Sequence, residues 1–198
     1  SLKYIPISLF ATLIMTSPFF LLIFAKIILK EKLNYISWVA ILIGFCGVLI
    51  VLRPSLSNIN IFIFLVFFAV LIISFNFTIV SKYSHIATSY GFTFYQYLPI
   101  TLFAYIFFIF DPLVPSLKEL ILFSSAGILM MISMWAWNKA YHIAGKYSSI
   151  ISPFFFTQII WGSLYGIIFF SEELSLISII GVIVIVISGT IAIYNRNK

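Results

Sequence analysis

Seven stretches of this chain carry no Asp, Glu, Lys or Arg: Tyr4–Ala25, Leu33–Leu52, Pro54–Ser81, Tyr83–Phe110, Leu120–Asn138, Tyr147–Ser171 and Leu174–Asn195. The shortest has 19 residues. Crossing a hydrocarbon core takes about 20 residues at a rise of about 1.5 Å each, so every stretch can span. The apolar positions run continuously rather than alternating with period two. Backbone groups in lipid must pair internally, and continuous runs satisfy them as helices, not as barrel strands. The pattern predicts seven helices, at about Ile7–Leu29, Tyr35–Leu52, Ile59–Val80, Gly91–Phe110, Glu119–Tyr141, Tyr147–Phe170 and Ser175–Tyr194. Pro18 lies inside the first and predicts a kink, because it removes a backbone donor. Ala40, Gly44 and Gly47 in the second, and the Gly162-xxx-Gly166 pair in the sixth, predict close helix packing. Phe154, Gln158, Trp161 and Tyr165 fall at i, i+4, i+7 and i+11 and predict one helical face.

Composition supports a membrane setting. The chain is 63% hydrophobic and 8% charged, where soluble domains carry about 25% charged residues. A water-soluble fold of this size has no way to hide so much apolar surface. The net charge of +6 does not mark a nucleic-acid surface, since the basic residues are scattered singly between spans. Cys46 stands alone, which excludes an internal disulfide, and is read as a small packing residue. No cofactor or metal motif is present. The first residue is Ser1 and a span follows almost at once, with no signal-peptide pattern; an N-terminal part is expected to be missing.

With alternating spans, one side holds three basic residues, Lys3, Arg53 and Lys118, with the acids Asp111, Glu119, Glu172 and Glu173. The other side holds eight, Lys26, Lys30, Lys32, Lys82, Lys139, Lys146, Arg196 and Lys198, with the single acid Glu31. The positive-inside rule places the second side, and the C-terminus, in the cytoplasm. Arg53-Pro54-Ser55-Leu56-Ser57-Asn58 is a polar connector stopped by a proline, and Asp111–Pro115 reads as an external turn.

The two ends of the chain resemble each other. Pro18, Glu31 and Gly47 have looser counterparts in Pro153, Glu172 and Gly189. Leu2-Lys3-Tyr4-Ile5-Pro6, Thr16-Ser17-Pro18-Phe19, Leu29-Lys30-Glu31-Lys32-Leu33 and Gly44 through Pro54 resemble the end of the first half of an EamA-type transporter of the drug/metabolite transporter superfamily. Ile151-Ser152-Pro153-Phe154, Gln158-Ile159-Ile160-Trp161-Gly162, Phe170-Ser171-Glu172 and Gly181 to Gly189 are similar to the end of its second half. The second-half pattern is similar to a branch with S-adenosylmethionine and amino-acid or metabolite carriers. The resemblance implies an all-α membrane protein whose seven transmembrane helices correspond to helices 4–10 of a ten-helix inverted-repeat transporter. Residues 1–55 would then end the first repeat with its last two helices, and residues 56–198 would form the five-helix second repeat.

It also implies alternating-access transport of a small metabolite, such as an amino acid or S-adenosylmethionine, across the inner membrane. The expected partners are the lipid bilayer and the substrate, with room for a homodimer. Carriers of this architecture bind near the bilayer midplane, so polar and aromatic groups at depth are the candidates: Thr16, Gln96, Tyr97, Ser124, Gln158 and Trp161, with Asn76, Trp135 and Asn138 nearer the cytoplasm. All five acids stand at helix ends or in loops, whereas proton relays usually use intramembrane carboxylates. Facilitated diffusion or exchange, or coupling through the missing helices, is therefore expected. Two other classes remain open: a non-transporting structural subunit, and a membrane-embedded enzyme. The second is disfavoured, because His85 and His142 have neither an HExxH spacing nor an Asp nearby in sequence.

Overall fold

The structure, a computed structural model, describes residues 7–53, 61–110, 112, 114–170 and 175–194. Among these residues eight α-helices follow in order: α1 (Ile7–Ile14), α2 (Ser17–Ile28), α3 (Tyr35–Leu52), α4 (Ile61–Lys82), α5 (Ser89–Phe110), α6 (Leu117–Ala144), α7 (Thr157–Phe170) and α8 (Leu176–Tyr194). Two short 3-10 segments, Gly145–Ile150 and Ser152–Phe156, separate α6 from α7. No strand occurs among the described residues. Among the described residues six helical stretches are long and apolar enough to cross a bilayer, with α1 and α2 counted as one, and Leu176–Ile191 adds a shorter apolar helix. The chain is an all-α, multi-pass membrane protein. The end copies in Ser1–Pro6 and Glu172–Glu173, the connector 54–60, Asp111 and Leu113 of the external turn, and Arg196 and Lys198 lie outside the described residues.

The kink expected at Pro18 is a full break between α1 and α2. Proline has no N–H to give the carbonyl four residues back, which here belongs to Ile14. The Ser17 hydroxyl donates to that carbonyl instead, at 2.5 Å. Thr16 N–H bonds Leu13 O and Phe19 N–H bonds Thr16 O, both at 3.1 Å, so the chain tightens to 3-10 spacing across the break. After α2, Lys30 takes a left-handed conformation at φ 54°. Leu29 N–H and Glu31 N–H then both reach Ala25 O, at 3.2 and 3.1 Å, which is how an αL residue closes a helix. α6 begins on a capping box: Glu119 N–H donates to Ser116 Oγ at 3.4 Å, and Ser116 N–H to Glu119 Oε2 at 2.8 Å.

The sixth run is not one helix. Gly145, at φ 52° and ψ −126°, adopts a conformation that only glycine takes readily. Tyr147 leaves helical geometry, and Pro153 opens the second 3-10 segment. Phe154 therefore stands before α7, and the expected four-residue face reduces to Gln158, Trp161 and Tyr165, all exposed.

The described chain forms two compact units, residues 1–79 with 146–198, and residues 80–145. The first is built on Met15, Leu22, Ile41, Val48, Phe156, Ile159 and Ile185, with Leu9, Val66 and Val70 as a second cluster. Its closest helix approach pairs α3 with α8. A Cβ on Gly47 would lie 2.9 Å from Gly181 O, and one on Gly181 would lie 2.9 Å from Gly47 O. The two glycines face each other, and their missing side chains let the backbones meet. The expectation for Gly162 fails: a Cβ there meets nothing within 4 Å, because that side of α7 has no neighbour among the described residues. Cys46, expected to pack, is exposed on α3. In the second unit α5 and α6 form a hairpin, and Ser81 Oγ at the end of α4 donates to Tyr141 O of α6 at 2.9 Å. His142 Nε2 bonds Ala87 O there at 3.0 Å.

Candidate functional site

α5 presents Tyr90, Thr93, Phe94 and Tyr97 at i, i+3, i+4 and i+7, which is one helical face. α6 presents Met131, Ile132 and Trp135 opposite them. Together they line a cleft of about 340 Å³. Its walls are aromatic: Tyr90 stacks on Trp135 with centroids 5.4 Å apart and planes at 25°. Lys139 Nζ lies 4.9 Å from the Trp135 ring centre, a distance at which a cation is attracted by the ring quadrupole. Tyr97 OH donates to Met130 O at 3.2 Å, which fixes the phenol against α6.

Beside this wall lies a buried polar network. Asn138 is fully buried. Its Nδ2 donates to Thr93 Oγ1 at 3.0 Å and to Gln96 Oε1 at 2.8 Å. Gln96 Nε2 returns a longer contact to Asn138 Oδ1, at 3.4 Å. Thr93 Oγ1 in turn donates to Ser89 O at 2.9 Å. Amides buried in a low-dielectric setting cost several kcal/mol when unpaired, and this reciprocal pairing offsets that cost. The Trp135 indole N–H is also buried and has no acceptor among the described residues.

Of the residues expected to bind substrate, the structure brings four into this hairpin: Gln96, Tyr97, Trp135 and Asn138. Ser124 also sits on α6 but is exposed, and it precedes Trp135 by 11 residues, or roughly 16 Å along the helix. The other four belong to the first unit. Thr16 stands at the α1–α2 break, where its hydroxyl donates to Leu13 O at 2.6 Å. Asn76 is half-buried on α4, and Gln158 and Trp161 are exposed on α7. A smaller cleft of about 180 Å³ in that unit runs between the second 3-10 segment, α7 and α8, and neither Gln158 nor Trp161 lines it.

Sequence reasoning missed Tyr90, Thr93 and Phe94. The signal was present, since these residues precede Tyr97 at helical spacing. Tyr90 lies outside the helix expected from Gly91, and nothing in a single hydroxyl or ring within an apolar run sets Thr93 and Phe94 apart. Chemically the cleft offers ring faces and hydroxyls, with the Asn138 and Gln96 amides behind Thr93 paired to each other. Among the described residues no group of three or more His, Cys, Asp or Glu is placed to hold a metal ion.

The EamA-like transporter family matches residues 1–53 and 60–194. A riboflavin transporter of Vibrio cholerae serotype O1 is 31% identical over 151 residues, covering 76% of this chain and 50% of that relative. The chain thus spans about half the length of the curated relative it matches. No solved structure gives a significant match. With a match over nearly its whole length and a bundle of membrane-crossing helices, the chain belongs to the EamA-like transporter family.

Proposed function

We propose that this chain is part of a carrier that moves a small organic metabolite across the inner membrane by alternating access, and that the cleft between α5 and α6 contacts the substrate. The observation that carries the reading is the Thr93–Asn138–Gln96 network beside an aromatic wall. Ring faces beside the hydroxyls of Thr93 and the tyrosines, with the amide network behind Thr93 holding the wall in place, suit a flat molecule with a hydrogen-bonding edge. Riboflavin, transported by the relative according to its name, has that form, and so does the adenine of S-adenosylmethionine. An aliphatic amino acid would leave the aromatic wall without a use. The repeat boundary is placed in the connector after Arg53, and the C-terminus in the cytoplasm on the three-to-eight distribution of basic residues.

The test is uptake by the full-length gene product in a host that lacks uptake of its own. Labelled riboflavin, S-adenosylmethionine and leucine are offered separately, to cells and to inverted vesicles. Saturable transport of a ring-bearing compound supports the reading. Transport of leucine alone refutes the substrate class, and transport of none in either orientation refutes the carrier.

A further inference from the structure

We propose that Glu31 and Ser149 form a latch that holds the non-α segment between α6 and α7 in the conformation seen here, and that its release is a step in the working cycle. Glu31 is buried, with 9% exposure, although it stands in the connector between α2 and α3. The left-handed Lys30 and the bond from Glu31 N–H to Ala25 O fix its backbone. Its carboxylate accepts the Ser149 hydroxyl through Oε1 and the Ser149 backbone N–H through Oε2, the latter at 3.2 Å. The two residues are 118 positions apart in the chain.

The held segment has little to fix it from within. It consists of two short 3-10 pieces interrupted by a non-helical Tyr147 and entered through a glycine at positive φ. Short 3-10 pieces have poorer hydrogen-bond geometry than α-helix and often mark hinges. A charge-assisted pair of bonds is about twice as strong as neutral ones. Both oxygens of the carboxylate engage the one residue Ser149, so the two bonds hold the segment at a single point. Ser148, next to the contact, is fully buried, and its hydroxyl has no partner among the described residues. That makes it a reporter position. The latch uses no residue of the α5–α6 cleft and does not rest on the substrate assignment.

The experiment uses the full-length protein with Cys46 and any other native cysteine replaced by serine, and with S148C as the single thiol. Maleimide labelling then reads how often the segment opens. E31Q and S149A are each expected to raise the labelling rate at least tenfold. S149T, which keeps the hydroxyl, stays near the parent, and the double variant E31Q/S149A labels no faster than the faster single. Rates within twofold of the parent for both single variants overturn the proposal. So does a double variant whose rate is the product of two independent effects. If E31Q does not fold, E31D, which withdraws the carboxylate by one methylene, takes its place with the same two outcomes.

Discussion

Replacing Gly47 by alanine tests the α3–α8 seam, where the arithmetic is most direct. The new Cβ would stand 2.8 Å from Ile185 Cγ1, 2.9 Å from Gly181 O and 3.2 Å from Ile185 N. Carbon contacts are comfortable at about 3.5–4.0 Å, and two of these three atoms are backbone, which no rotamer change can move. The helices must part by several tenths of an ångström. A gap of 0.5–1 Å already forfeits about a quarter to a half of each contact's attraction, and overpacking of this kind costs about 1–3 kcal/mol. Alanine also returns about 1 kcal/mol of helix propensity, which masks part of the loss. Gly162→Ala supplies the control, since it carries the same propensity gain and its Cβ meets nothing within 4 Å. Detergent-solubilised full-length variants, compared by thermal or SDS-induced unfolding, should place G47A and G181A about 1–3 kcal/mol below G162A. The pair G47A/G181A should lose less than the sum, because one parting of the helices relieves both clashes. G47A and G181A lying within about 0.5 kcal/mol of G162A, a difference ordinary for an unconstrained surface site, would refute the reasoning.

Two further outcomes follow from named contacts. Ser17→Ala strands the Ile14 carbonyl that Pro18 cannot serve, and should cost about 1–3 kcal/mol in the same unfolding assay. Adding Pro18→Ala should recover most of that loss, because residue 18 then has an N–H for Ile14 O. No recovery would mean that Ser17 acts in some other way. Single cysteines at Lys32 and Lys139 should react with a membrane-impermeant thiol reagent from one side of the membrane, and a cysteine at Ser116 from the other. Labelling of Lys139→Cys and Ser116→Cys from a common side would overturn the threading.

Much of the architecture was legible because lipid imposes one strong rule, that charge stays out. The limits of α3 coincide with those expected from its charge-free run. α5 begins two residues before its expected start, and α6 begins two residues before and ends three residues after its expected limits. The sixth run was misread because apolarity says nothing of backbone conformation. The non-helical Tyr147 and the 3-10 segment opened by Pro153 interrupt a stretch that hydropathy left whole. At the candidate site, depth and polarity picked out Gln96 and Asn138 separately. That they pair, with Thr93 as third member, depends on the rotation of α5 against α6, which no local pattern encodes. The Glu31–Ser149 contact was hidden for the same reason, since charge placement put Glu31 in a connector between helices and gave no hint of a distant serine.

Uptake of a labelled ring-bearing metabolite by the full-length carrier, with Asn138→Ala compared at equal membrane abundance, bears most directly on the α5–α6 cleft as the substrate's contact. Asn138→Ala removes the donor shared by Thr93 and Gln96. Saturable uptake by the parent and a rate at least tenfold lower in the variant, about 1.4 kcal/mol or more in transition-state terms, is the predicted result. Equal uptake by the two would contradict it.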